Sequence, residues 1–294
     1  MTAERQRVSP YVVLAAGVLA VSAAAVLIRL ADAPPLTVSF YRMAIAAAVV
    51  VPIGLWKASG ALRGIGRRDW ALLGASAVFL AMHFGFWIAS LSYTSVASSV
   101  LIVTANPFLV AIASAVLLKE AVPVRVYAGI ALGLAGGAII GWGDFSLGGR
   151  ALFGDVLAVL GLVGITGYYT IGRGLRSRLS LLAYITPVYS GATLVLLAAV
   201  LIAGSPLTGF APESYGFLLL VGLVPQVVGH SALNWALGYL PAPLVATAVM
   251  FEPIGAAVLA WSALGEAPSP WALGGGALIL AGVYLALVRG HKVV

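Results

Sequence analysis

Apolar residues follow one another along this chain in stretches of about 20, the length that crosses a bilayer core as a helix. Charged residues, glycine and proline separate the stretches. Dividing at those breaks predicts helices near residues 11–30, 36–56, 70–91, 95–118, 123–142, 154–172, 180–203, 215–239, 242–264 and 270–288. Several intervening segments are only a few residues long, so consecutive helices are expected to be antiparallel neighbours. The predicted fold class is therefore an all-α membrane protein with ten transmembrane helices.

Composition excludes the alternatives. Of 294 residues, 62% are apolar and 9% are charged, against roughly 25% charged residues in a soluble domain. The net charge of +7 does not point to nucleic acid, because the basic residues sit in short loops rather than in one dense run. Membrane topology explains them better. An N-terminus in the cytoplasm puts Arg5, Arg7, Lys57, Arg63, Arg67, Arg68, Lys119, Arg125, Arg173, Arg176, Arg178, Arg289 and Lys292 inside. Arg29 and Arg150 are then outside and Arg42 lies within a helix, so 13 of 16 basic residues are cytoplasmic. Both termini are expected there, and the first apolar stretch is read as a retained helix, being longer than the core of a cleaved signal peptide. Cysteine is absent, which removes disulfides and thiolate chemistry.

The chain also repeats itself. A shift of 146 residues lays Leu91 on Leu237, Tyr93 on Tyr239, Pro107 on Pro253, Glu120 on Glu266, Gly129 on Gly275 and Gly136 on Gly282, without a gap. Apolar composition alone would match Ala and Leu, but not Pro, Glu and Gly in one register. Each copy, residues 1–148 and 149–294, holds five predicted helices. An odd number inverts the second copy relative to the first, so Glu120 is expected inside and Glu266 outside. Inverted repeats give two packings of similar energy about a central site, which suits transport.

Gly265-Glu266-Ala267 followed by Gly274-Gly275-Gly276 and Ala281-Gly282-Val283 resembles the end of an EamA-type repeat, and Lys119-Glu120-Ala121 with Gly129 and Gly136 resembles an earlier copy. The chain is thus similar to the drug/metabolite transporter superfamily over nearly its whole length. Tyr41-Arg42 and the aromatic-rich helices look most like the YddG-type amino-acid exporters. That resemblance implies ten helices, a central cavity and export of aromatic and other neutral amino acids. One departure is that the shift pairs Arg42 with Val188, so no arginine site is shared between the halves.

A charge at mid-membrane costs about 2.5 to 3.5 kcal/mol on insertion scales unless a cavity or partner relieves it. Glu252 is such a charge, midway along the ninth helix and just before Pro253, which frees a carbonyl one turn back. It is expected either to meet a substrate ammonium or a proton, or to cap a neighbouring helix. Gln226, His230 and Asn234 recur at every fourth position of the eighth helix and so share one side. Ser76, His83, Trp87 and Ser90 make a similar stripe on the third helix, and Ser95, Ser99 and Asn106 on the fourth. These stripes face either a cavity or interhelical hydrogen-bond partners. His83 is a proton-relay candidate. Trp87, Tyr93, Tyr168, Tyr169, Tyr184 and Trp235 are aromatic residues that would stack on a substrate or anchor at the interface. Arg42 would bind a carboxylate or snorkel outward. The substrate-binding candidates are Arg42, His83, Trp87, Asn106, Tyr168, His230, Asn234 and Glu252.

Gly129, Gly133, Gly137 and Gly141 form a ladder for close helix contact. Pro52, Pro107, Pro187 and Pro225 are expected to kink their helices. Gly141-Trp142-Gly143-Asp144 matches a protease GxGD string, but Asp144 falls at a helix end and has no intramembrane aspartate to pair with. The zinc-protease motif HExxH does not occur. An enzyme is not expected, nor a cofactor or metal. The expected protein is a monomeric inner-membrane exporter of neutral and aromatic amino acids, with protons as a candidate coupling ion. Other small metabolites, nucleosides, cationic drugs and a passive channel are the alternatives.

Overall fold

In the computed structural model, residues 8–93, 99, 102–103, 105–141, 149–264 and 270–287 are described. They form helices throughout, with no strand among them. The first apolar stretch is α1 (Pro10–Ser22) and α2 (Ala24–Ala31), followed by α3 (Pro35–Lys57), the short α4 (Ser59–Arg63) and α5 (Arg67–Ser90). Next come α6 (Asn106–Ala113), which runs on as a π-helical turn over Ser114–Leu118, α7 (Val124–Gly141), α8 (Gly149–Arg176) and α9 (Leu181–Ala203). The chain continues as α10 (Pro212–Val221), a π-helical segment Gly222–His230, α11 (Ser231–Ala236), α12 (Ala242–Val249), α13 (Glu252–Leu264) and α14 (Pro270–Leu287). Among the described residues, six spans are long and apolar enough to cross a bilayer: Pro10–Ala31, Pro35–Lys57, Arg67–Ser90, Leu152–Arg176, Leu181–Ala203 and Pro212–Ala236. Four shorter apolar helices accompany them.

Local chemistry sets these boundaries. Proline stands in the first turn of α1, α3, α6, α10 and α12, where its missing N–H and fixed φ are harmless. Ser180 caps α9 by accepting from the Ala183 N–H at 3.3 Å, and Gly204 ends that helix at φ 63°.

Several expectations are corrected at this level. The first helix is interrupted at Ala23. The ninth is interrupted at Met250–Phe251, just before Pro253, which cannot donate to the preceding turn. Pro225 falls within a π-helical stretch, which accommodates its missing donor by widening the turn, whereas Pro52 and Pro187 lie within continuous helices. The sixth helix runs two turns or so longer than its apolar stretch, so Arg173 and Arg176 end a helix instead of lying in a loop. Ser95, Asp144 and Glu266 lie outside the described residues.

Large apolar side chains remain uncovered on the outside, Ile202 (87% exposed) and Val124 (82%) among them, as expected of surfaces that face lipid. Inside, helices approach where glycine removes the side chain. Along α7 and α14, a Cβ at Gly129 would lie 2.5 Å from the Gly282 carbonyl oxygen, and one at Gly136 would strike the Gly275 carbonyl. These two contacts exchange under the 146-residue shift. Of the expected ladder, Gly133 faces Met250 instead, and Gly136 supplies the second helix contact.

The α5–α8 crossing uses Gly161, Gly164 and Gly167 against Trp87, His83 and Phe79. The α1 crossing of the π segment and α11 uses Gly17 against Gly229, Ala232 and Leu233. α3 packs on α9, with Gly54 against Thr186. These crossings hold α3, α5, α8 and the π segment around one interior.

Candidate functional site

A void of about 40 Å³ opens in that interior, lined by α3, α5, α6, α8, the π segment, α11, α12 and α13, together with Val21 of α1 and Val103. Its polar lining is Arg42, His83, Trp87, Asn106, Tyr169, His230 and Glu252. Six of the eight candidates named from the sequence therefore converge on one space. Tyr168 and Asn234 do not line it.

Arg42 does not snorkel. It is 1% exposed, its Nε donates to Gln226 Oε1 at 2.8 Å, and its guanidinium carbon sits 4.1 Å over the Phe84 ring. The cation–π contact adds about 0.5 to 2 kcal/mol, and Gln226 orients the fork. Arg42 Nη1 has no protein partner among the described residues. The eighth-helix stripe thus has a definite task at Gln226, which the sequence showed as polar and inward without revealing its partner.

Glu252 opens α13, where the positive end of the helix dipole favours a carboxylate. Asn106, its counterpart under the shift, opens α6 in the same way. Both residues precede a proline, and each starts its helix at the void. No ion pair joins Arg42 to Glu252 among the described residues, although both line the void.

The His83 imidazole is stacked on the Trp87 indole, 5.6 Å between centroids and 2° between planes. His83 Nδ1 lies 3.1 Å from the Gly161 carbonyl oxygen, a distance possible because glycines line that face of α8. His230 packs edge-on against Phe84 at 5.3 Å. Trp87 Nε1, Asn106 Oδ1 and His230 Nδ1 are buried without a protein partner among the described residues. The interior therefore keeps donors (Arg42, Trp87) and acceptors (Asn106, Glu252) within one lining.

Tyr168 and Asn234 belong to a layer beside the void. Asn234 Nδ2 donates to the Tyr168 hydroxyl and lies 3.4 Å from that of Tyr189. The Tyr184 and Ser76 hydroxyls are 2.7 Å apart. Ser90 is likewise satisfied, donating to the Trp87 carbonyl at 2.7 Å and lying 2.6 Å from Ser99. The serines of the third-helix stripe are interhelical or local glue, while its His and Trp face the void. Tyr93 and Trp235 pack away from it, against Phe153 and Tyr239 respectively. Tyr169, 1% exposed, is the aromatic residue of α8 that reaches the void. A helix turns 100° per residue, so only one of two adjacent tyrosines faces it, and the sequence does not say which. No cluster of His, Asp and Glu suited to a metal ion occurs among the described residues.

Comparison with known proteins agrees with this architecture. The profile of the EamA-like transporter family matches the chain twice, over residues 8–142 and 152–288. An uncharacterized transporter of Archaeoglobus fulgidus is 26% identical over 274 residues, covering 90% of this chain and 92% of its own. A second from the same organism is 26% identical over 261 residues, with coverage of 89% and 90%. A crystal structure of a protein 21% identical superposes with a TM-score of 0.78, covering 95% of this chain and 96% of that one. At that identity the likeness is one of fold.

Proposed function

Because the chain belongs to the EamA-like transporter family, and is thus an integral membrane transporter, we propose that it exports neutral and aromatic amino acids by alternating access. The carrying observation is that Arg42 and Glu252 line one interior void with Arg42 held by Gln226 and not by Glu252. A zwitterion needs a cation for its carboxylate and an anion for its ammonium, within one small space. Arg42 Nη1 and Trp87 Nε1 are the donors for the carboxylate end. Glu252 and Asn106 Oδ1 are the acceptors for the ammonium end. Trp87, Tyr169 and Phe84 supply flat apolar faces for the side chain. A cationic drug would meet the buried Arg42 guanidinium, which disfavours that alternative.

In this reading ten helices form two inverted units, residues 1–148 and 149–294, and both termini face the cytoplasm across the inner membrane. The two family matches and the exchanging glycine contacts of α7 and α14 support it. Protons are the proposed coupling ion, carried by Glu252 or His83. The test is counterflow of labelled neutral and aromatic amino acids in liposomes, with and without a pH gradient. Saturable exchange of phenylalanine or alanine is expected. Absence of saturable amino-acid flux in every condition would reject the substrate, and flux without counterflow would indicate a channel.

A further inference from the structure

Beyond the layer of Tyr168, Tyr184, Tyr189 and Asn234, all 0% exposed, lie two arginines that the transport reading does not use. α8 and α11 both run from the void toward the same end of the molecule. Tyr169 lines the void, and Arg173 and Arg176 follow it by four and seven residues, about 6 and 10 Å along the axis. Arg173 Nε donates to Glu120 Oε1 at 2.7 Å, and Arg173 Nη1 to the Leu237 carbonyl at 3.0 Å. Arg176 Nε donates to the Asn234 carbonyl at 2.9 Å, and its Nη1 to that of Leu179. Two side chains of one helix end thus tie together the segment after α6, the end of α11 and the start of α9.

The opposite end differs. The 146-residue shift pairs Arg173 and Arg176 with Leu27 and Leu30, so neither guanidinium is repeated. Leu237 and Leu175 are 0% and 1% exposed, whereas their counterparts Leu91 and Arg29 are partly exposed and exposed. At these paired positions the Glu120 end is the more deeply buried.

We infer that Arg173 and Arg176 form a clasp that shuts the void from the Glu120 end and must release before it opens there. Tyr168 and Asn234, counted from the sequence among substrate contacts, are then parts of the plug. The Asn234 carbonyl links plug to clasp, because its own side chain holds Tyr168 while its backbone holds Arg176. The Asn234 and Leu237 carbonyls matter as much as Glu120: they are at the C-terminal end of α11, where cations are favoured.

This rests on the alternating-access reading, and one experiment separates the two. The chain has no cysteine, so a single Val249→Cys, at a residue lining the void, reports access to it. Labelling by a membrane-impermeant maleimide is measured in right-side-out and inside-out vesicles. With the clasp intact, labelling is expected to be faster from the end opposite Glu120. Arg173→Met is expected to raise labelling from the Glu120 end several-fold, and Arg173→Lys, which keeps a cationic donor for Glu120 and the Leu237 carbonyl, to raise it less. One-sided labelling that Arg173→Met leaves unchanged, or an Arg173→Lys variant that labels like Arg173→Met, overturns the clasp alone. Equal labelling from both ends in the otherwise unaltered chain overturns the clasp and alternating access together. Retained labelling from the far end shows that each variant is folded.

Discussion

Along the seam of α7 and α14, two close glycine contacts are each other's counterparts 146 residues away: Gly129 meets Gly282, and Gly136 meets Gly275. Around the void the same shift pairs unlike residues. Arg42 corresponds to Val188, His83 to Gly229, Trp87 to Leu233, Gln226 to Leu80, His230 to Phe84 and Glu252 to Asn106. A helix crossing needs only the same small volume on both sides, so duplication serves it unchanged. Recognition of a molecule with two different ends needs different chemistry on its two sides, and duplicated residues would supply the same chemistry twice. The contrast teaches that the α7–α14 seam retains its repeat whereas the lining of the void does not, as the proposed recognition of a two-ended molecule requires.

The largest expected effect lies on the seam. Gly129→Leu or Gly136→Leu drives a side chain into a backbone carbonyl that cannot turn aside. The expected result is failure to obtain monodisperse protein in detergent. Gly282→Ala should cost about 1 to 3 kcal/mol, the usual range for overpacking, seen as a lower midpoint of thermal unfolding. Gly274→Ala, where a Cβ would meet nothing within 4 Å, should leave that midpoint unchanged. Similar losses at Gly274 and Gly282 would remove the glycine contacts from the account.

At the centre the effect should fall on transport more than on folding. Arg42→Met replaces a buried cation by an apolar chain of similar length, and is expected to abolish saturable amino-acid uptake while the protein still purifies folded. Retained uptake would break the proposed pairing of Arg42 with a carboxylate. Glu252→Gln keeps the shape and removes the titratable group, so residual transport should lose its dependence on pH. Full activity with an unchanged pH profile would exclude Glu252.

A smaller effect is expected at the rim, where the Tyr41 hydroxyl donates to the Leu207 carbonyl at 2.7 Å. Tyr41→Phe should cost about 0.5 to 1.5 kcal/mol, the net worth of one hydrogen bond, with transport kinetics little changed.

The sequence was informative about polar residues and silent about their pairing. Intramembrane polarity brought His83, Asn106, His230 and Glu252 forward, Trp87 stood out as a stacking aromatic and Arg42 as either a carboxylate partner or a snorkelling cation, and all six line the void. The sequence did not separate Tyr168 from Tyr169, which are adjacent in a chain whose helix rotation was unknown. Nor did it show that Gln226 would hold Arg42 or that Asn234 would hold Tyr168, since both depend on which helices cross. Helix ends were legible where proline or glycine marked them and were missed at Arg173 and Arg176, where charge suggested a loop. Those arginines continue α8 because their guanidinium groups find carbonyls and Glu120 at its end.

The account depends on the second unit being threaded through the membrane upside down relative to the first. Single cysteines at Glu120 and at Glu266, each reacted with an impermeant maleimide in intact cells and in inverted vesicles, test this directly. Inversion predicts that the cysteine at 120 reacts from the cytoplasmic side and the one at 266 from the outer side. Reaction of both from the same side would contradict it.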